Sequence, residues 1–346
     1  MTAIKSSFKY NCTIDIISLL YLFIKSNTRI MEENMEIKMP RSFDLDQSLK
    51  FTLELDCVPK NDKYVYDYSQ LGTVEPFGML LVSSKIRKFI LDNSEAKHYD
   101  TSYEDNEYAA HMGFFQSVRL DYGKKPGEAK GNSNYIPLTE INIDDSYYTA
   151  VIENGICIEE YIEKEFANKL ASILSRENDK IKEVLIFCIT EIIRNVYDHS
   201  VSKTLWFSGQ YWPSKDRVEI AILDEGKGIA NTLKRNKKNI LNNDEEALKL
   251  CIKPGVTKSL ESKKAYDIYS NKGFGLFMIS RICEIGGNFV ICSGKSCLII
   301  DKNGIESKKC SFNGTAIRLI LNPSKMGEIR LSDIAKEGEE LINIPK

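Results

Sequence analysis

The chain has no Cys-x-x-Cys pair and only three histidines, His98, His111 and His199. Those absences remove the spacing of a structural zinc site and the raw material of a His-rich metal centre. The phosphate loop G-x-x-x-x-G-K-[ST] and the dinucleotide fingerprint G-x-G-x-x-G are also missing. An excess of either charge is lacking: 47 basic residues against 49 acidic ones give a net charge of −2, so nothing points to a nucleic-acid partner, and short basic runs such as 234–238 read as solvated loops. The apolar run at 14–24 follows Lys5 and Lys9 but is too short to span a bilayer, and no small-residue cleavage site follows it. No membrane association is expected. What the chain does have is nine cysteines, an odd number, several inside apolar runs where Cys acts as a small hydrophobe. A reduced, cytoplasmic setting is expected.

A length of 346 residues suits two domains. Residues 1–38 read as an extension, with Met31, Met35 and Met39 offering internal starts. Residues 39–145 read as a small α/β unit. Alternation at 51–58 suggests a strand. Pro76 suits the first turn of a helix that continues through Ile86 and Ile90. A short helix at 108–115 is expected to end at Gly113. Residues 121–134 are the clearest loop, and a strand is expected at 135–143. The boundary is placed near 145, followed by a unit at 146–325 and a charged tail at 326–346.

The second unit contains the stretch that organises the chain, Glu191-Ile-Ile-Arg-Asn195. Val184, Leu185, Cys188, Ile189, Ile192 and Ile193 recur at helical spacing, so a helix over 181–199 packs one broad face into a core. Glu191 and Asn195 lie four apart on that face. Buried there, each needs a partner. A pair that hydrogen-bonds backbone at the core edge fits as well as a functional pair. Before it, 159–174 reads as an amphipathic helix. After it come strands at 204–211 and 217–223, a helix at 276–285 closed by Gly286 and Gly287, and strands at 288–292, 297–301 and 315–321, with turns at 293–295 and 303–304.

Three further stretches are distinctive. The strand ending at Leu223 runs into Asp224-x-Gly226-x-Gly228, where a carboxylate can accept from an exocyclic amine and glycines allow close backbone approach. Residues 271–276 hold Lys272, Gly273, Gly275 and Leu276 at a helix start, where backbone N–H groups and the dipole favour an anion. Gly314-Thr315 opens the last strand, where the hydroxyl could support Asp224 through water. Taken singly, each fits an ordinary turn or helix start.

In this order and at these intervals the four stretches resemble the GHKL superfamily of ATP-binding domains, the group of gyrase B, the heat-shock chaperones, the sensor histidine kinases and MutL. The resemblance covers about residues 155–322. It implies a two-layer α/β sandwich with a mixed sheet (the Bergerat-type fold), and it implies roles. Asn195 would hold Mg²⁺, an ion that suits oxygen ligands with few protein contacts. Asp224 would bind the adenine amino group, with Gly226 and Gly228 lining the base pocket and Thr315 fixing Asp224. Lys272, Gly273, Gly275 and Leu276 would hold the phosphate side, with Lys258 a further candidate, and 229–271 would be a mobile lid. Separately, the apolar signatures at 76–81 and 111–115 resemble the STAS-like module.

Glu191 sits where ATP-hydrolysing relatives carry a general base, and kinase relatives also place an acid there. The resemblance therefore implies a Mg²⁺-dependent ATPase whose conformation or protein partner, a homodimer included, responds to nucleotide. Two alternatives stay open: a GHKL-type serine or histidine kinase or anti-sigma-like regulator acting on a STAS-type partner, and a non-catalytic ATP-dependent interaction module. No dimerising helix with a phosphoacceptor His precedes the unit, and no transducer domain is recognisable after residue 322.

Overall fold

The computed structural model describes residues 34–130, 134–142, 155, 158–176, 178–200, 202–236, 239–256 and 273–343. The apolar run at 14–24, Lys258 and Lys272 lie outside them.

The amino-terminal part is a small parallel sheet with two long helices. β1 (Met35–Lys38), β3 (Lys63–Asp67) and β5 (Lys97–Thr101) pair in that order, all parallel. A two-residue pair, β2 (Ser42–Phe43) with β4 (Thr73–Val74), sits beside it. The strand expected at 51–58 is instead the end of helix α1 (Leu45–Asp56). Asp44 decides this locally: its carboxylate accepts from the Gln47 N–H at 2.9 Å and caps the helix. Leu49, Phe51, Thr52 and Leu55 then share a buried face, while Leu53, which completed the apparent alternation, is only half-buried. Helix α2 (Pro76–Asp92) starts at Pro76 as its sequence suggests. The short helix expected around 108–115 splits into α3 (Glu107–His111) and α4 (Phe114–Ser117), hinged at Gly113 with φ 88°.

The larger sheet has five strands in the order β6 (Tyr135–Asn142), β7 (Thr204–Trp212), β8 (Arg217–Asp224), β10 (Gly304–Leu321), β9 (Gly287–Asp301). Every pairing in it is antiparallel, so the expectation of a mixed sheet is corrected. The strand at 135–142, placed with the first unit by sequence, is the edge strand here, pairing with β7. Two further expectations differ. The turn at 293–295 lies within the single long strand β9, and β10 already begins at Gly304 rather than at 315. The register between them shifts twice, after Lys309 and after Phe312, so the ladder bends without breaking.

Strand alternation shows why the sheet is covered on both sides. In β8, Val218, Ile220 and Ile222 join one core, while Ala221 and Leu223 join another. In β10, Ile317 and Leu319 go to the first and Ala316 to the second. Both faces are apolar, as in a sheet buried between layers. The first core is closed by α5 (Ile158–Ile162), which continues through a π-helical turn (Glu163–Ala167) into α6 (Asn168–Ser175), by α7 (Asp179–Asn195) with a π turn at Val196–Ser200, and by α10 (Gly275–Gly286). The second core is closed by α1 and α2 of the amino-terminal part.

A buried carboxylate fastens that second layer. Glu219 on β8 is fully buried and accepts from the Phe77 N–H at 3.0 Å. It therefore caps α2 from another element, since Glu75 at the N-cap makes no side-chain cap bond. Arg217 pairs with Glu219 and holds both oxygens of Glu75 at 2.9 Å. Burial pushes the Glu219 carboxyl up, and Arg318 and Arg217 pull it back. Short helices α8 (Ile229–Leu233) and α9 (Asp244–Cys251) follow β8, and α11 (Leu331–Asn343) packs on α10. The described part of 229–271 is thus partly helical, with Ala247, Leu248 and Cys251 in the first core. Among the described residues no helix is long and apolar enough to cross a membrane.

Candidate functional site

Helix α7 starts where Asn178 accepts from the Ile181 N–H at 3.1 Å, and its apolar face drives it onto the sheet. That packing carries two charged residues into the interior: Glu191 and Arg194 are each 6% exposed. They pair with each other, the Arg194 Nη2 donating to Glu191 Oε2 at 2.6 Å. Asn195, one turn beyond Glu191, is half-buried and faces a pocket.

The pocket is about 750 Å³, its open mouth included. α7 contributes Ile192 and Asn195, the strand β8 Ile222 and Asp224, and β10 Thr315 and Ile317. Gly228, Thr232 and Leu276 close it from the loops and helices around. Its wall is largely apolar, with Asp224, Asn195 and Thr315 as convergent polar groups, the composition of a small-molecule site.

Asp224 is 2% exposed at the end of β8. The antiparallel register sets Thr315 directly opposite it. Its Oδ1 accepts from the Gly226 N–H at 2.8 Å. Burial is the largest influence on its titration and pushes the carboxyl up. The bonds from Gly226 and Thr315 pull it down, the charge of Glu225 adds to the rise, and it settles at about 6. A carboxylate at this position, ionised at neutral pH yet desolvated, is a strong acceptor for a donor entering the pocket.

The glycines hold backbone close around Asp224. A Cβ on Gly226 would overlap the Ser200 carbonyl, and one on Gly314 would overlap the Asp224 carbonyl. Gly228, with φ 75°, leaves room for the Ser293 hydroxyl, which donates to the Gly314 carbonyl at 2.7 Å and accepts from the Ile229 N–H at 2.9 Å. Ser293 therefore links the loop after Asp224 to the loop before Thr315.

Gly273, with φ 72°, packs against the Val256 carbonyl, and its own carbonyl accepts from the Gly255 N–H at 3.2 Å. Gly275 is the first residue of α10, and a Cβ there would overlap Glu191 Oε2. The Glu191 carboxylate thus lies against the positive end of α10.

The structure brings Asn195, Asp224, Gly228, Leu276 and Thr315 to one cavity. Gly226 lies beside it, at a smaller pocket shared with Gly228 and Gly314. Glu191, Gly273 and Gly275 stand behind the wall rather than in it. Three contributors carried no usable sequence signal. Ser293 and Ser200 act through tertiary contacts, and Glu225 was passed over as the variable residue between Asp224 and Gly226. Arg194 had one: it stands three residues after Glu191, the spacing of neighbours on a helix face. In comparisons with known proteins, no family model matches the chain and no curated protein matches it.

Proposed function

We propose that this chain binds ATP with Mg²⁺ in the pocket around Asp224 and hydrolyses it, using the nucleotide to set its conformation or its association with a protein partner. One observation carries the reading. Residues from four separate stretches, Asn195, Asp224, Leu276 and Thr315, meet in one largely apolar cavity with a desolvated carboxylate at its polar end. A flat base with an exocyclic amine suits that arrangement. The finer assignment of 146–325 to a Bergerat-type sandwich is part of the same proposal. It is supported by the sheet with α7 and α10 on one face.

The donor set also suits the metal. Among the described residues no cluster of three metal-binding side chains exists. Asn195 supplies one amide oxygen, which fits an ion that keeps most of its waters and takes phosphate oxygens. When bound, the ion would neutralise charge on the phosphates. Asn195 would hold it, Asp224 would orient the base, and the start of α10 would face the phosphates.

The contact between Glu191 and Arg194 favours a second reading, a non-catalytic ATP-dependent module. A carboxylate oxygen occupied by a guanidinium is not free to accept from an attacking water. Calorimetry with Mg·ATP tests the pocket: Asp224→Asn should weaken binding at least about tenfold, the cost of one charge-assisted bond. Unchanged affinity in that variant sinks the assignment. Phosphate release then separates the two readings, since hydrolysis through Glu191 predicts a loss of about 10²-fold or more in Glu191→Ala.

A further inference from the structure

Asp224 and Glu225 are consecutive, so they leave the end of β8 in opposite directions. Asp224 faces the pocket described above, and Glu225 faces a second cleft on the side of the sheet covered by α2. That cleft is open and about 1460 Å³ with the solvent at its mouth included. Five cations line it, Lys85, Arg87, Lys88, Arg119 and Lys125, against two carboxylates, Glu140 and Glu225.

The cations are not equivalent. Lys85 is 12% exposed and fixed by Asp56 at 2.6 Å, so it belongs to the scaffold. Lys88 pairs with Asp92 at the surface. Arg119 and Lys125 are exposed and make no ion pair among the described residues. Arg119 also holds a left-handed backbone, φ 72°, a conformation that costs about 1 kcal/mol or more in a residue with a Cβ.

Arg87 is the centre of the cleft. Its guanidinium lies 4.1 Å over the Trp206 ring and donates to Glu225 at 2.7 Å. Stacking orients its planar fork for carboxylate recognition. The Ser84 hydroxyl donates to the same Glu225 oxygen at 2.6 Å. Glu225 is thus a carboxylate already seated where an incoming one would go. Beside it, Leu91 is 54% exposed and offers an apolar contact.

We propose that this cleft docks an acidic segment of a partner protein, with a carboxylate of that segment replacing Glu225 on Arg87. The size exceeds what a single ion needs, and the exposed Leu91 among the cations suits a peptide with acidic residues around an apolar side chain. A nucleic acid is disfavoured, because the chain as a whole carries a net charge of −2 and two carboxylates line the cleft, where they would face phosphates.

The test is fluorescence anisotropy of the whole protein with a short labelled peptide of Glu and Asp flanking one Leu, at low salt. Wild type is expected to bind. The triple reversal Lys88→Glu, Arg119→Glu, Lys125→Glu should weaken binding at least about tenfold, and Glu225→Gln, which frees Arg87, should tighten it about threefold. The three reversed residues are at or near the surface, so an unchanged urea midpoint certifies folding. The proposal is overturned if wild type does not bind, if the triple variant binds as well as wild type, if Glu225→Gln fails to tighten, or if a single-stranded oligonucleotide of equal charge binds as tightly as the peptide. No nucleotide is needed in these arms, so their failure and a failure of the ATP reading are told apart.

Discussion

Replacing Asp224 with Asn should weaken nucleotide binding and at the same time make the folded protein more stable at neutral pH. Asp224 is 2% exposed and titrates at about 6, against 3.8 for an unperturbed carboxyl. Between those two values the folded state binds more protons than the unfolded state, so stability falls as pH rises through that window and is flat above it. At 1.36 kcal/mol per pH unit, keeping Asp224 ionised at pH 7.5 costs about 3 kcal/mol. Asn resembles the protonated form. Its Oδ1 retains the Gly226 N–H, and its amide nitrogen can donate to the Thr315 hydroxyl. Weaker neutral bonds give back about 1 kcal/mol, leaving a net gain of about 1–2 kcal/mol. Urea unfolding of both proteins measures it. The advantage of the variant should be smaller at pH 5.0 by about 1.4 kcal/mol, because wild type is by then largely protonated. If Asp224→Asn is less stable than wild type at pH 7.5, or if the difference does not depend on pH, Asp224 does not titrate in a desolvated site and the electrostatic account of the pocket is wrong.

Other perturbations follow from single contacts. Glu219→Ala takes the carboxylate from buried Arg318 and from the Phe77 N–H and leaves half-buried Arg217 with Glu75 alone, so a loss of about 3 kcal/mol is expected, with hydrogen exchange accelerating first across 76–92. Gly78→Ala places a Cβ against the Phe43 carbonyl and should cost about 1–3 kcal/mol by urea unfolding; no change would mean that α2 and β2 do not approach this closely. Ser293→Ala removes one donor and one acceptor between the loops after Asp224 and before Thr315, and should lower stability by about 1–2 kcal/mol while weakening Mg·ATP binding several-fold.

Much of this arrangement can be read from the residues, and the failures have a common cause. α7 is legible because Val184, Leu185, Cys188, Ile189 and Ile192 repeat at one helical period and Asn178 caps it. β8 is legible as a strand, yet its meaning is not. Apart from Glu219, Val218 to Leu223 is apolar on both faces, which the covering α2 explains. The strand expected at 51–58 failed because a period-two pattern over a few residues also fits a helix face, and the Asp44 cap settles the matter. The expected turn at 293–295 failed because Gly294, with φ 63°, sits at a bend within a strand that continues. In the pocket, the residues that touch the cavity were readable as chemistry. Ser293, which positions the loops on either side, lies far away in sequence from what it holds, and Ser200, which lines the cavity, meets the loop after Asp224 only in the folded chain.

Arg194 offers the sharpest way to ask what Glu191 does. The Glu191 carboxylate is bounded on one side by Arg194 at 2.6 Å and on the other by Gly275 at the start of α10. A base acting on water at the phosphates must point an oxygen into the pocket, and that requires loosening its hold on Arg194. Arg194→Met keeps most of the side-chain volume and removes the charge. On its own it should destabilise by about 3 kcal/mol, because a buried carboxylate loses the guanidinium paired with it, and the double variant Glu191→Gln, Arg194→Met should recover most of that. Turnover separates the alternatives. If Arg194 restrains a working base, the single variant should release phosphate faster at saturating Mg·ATP under conditions where it is folded, and the double variant should release almost none. If both variants bind Mg·ATP and neither changes phosphate release, the pair is a structural element of α7, and the chain is a nucleotide-binding module in which Glu191 braces the start of α10.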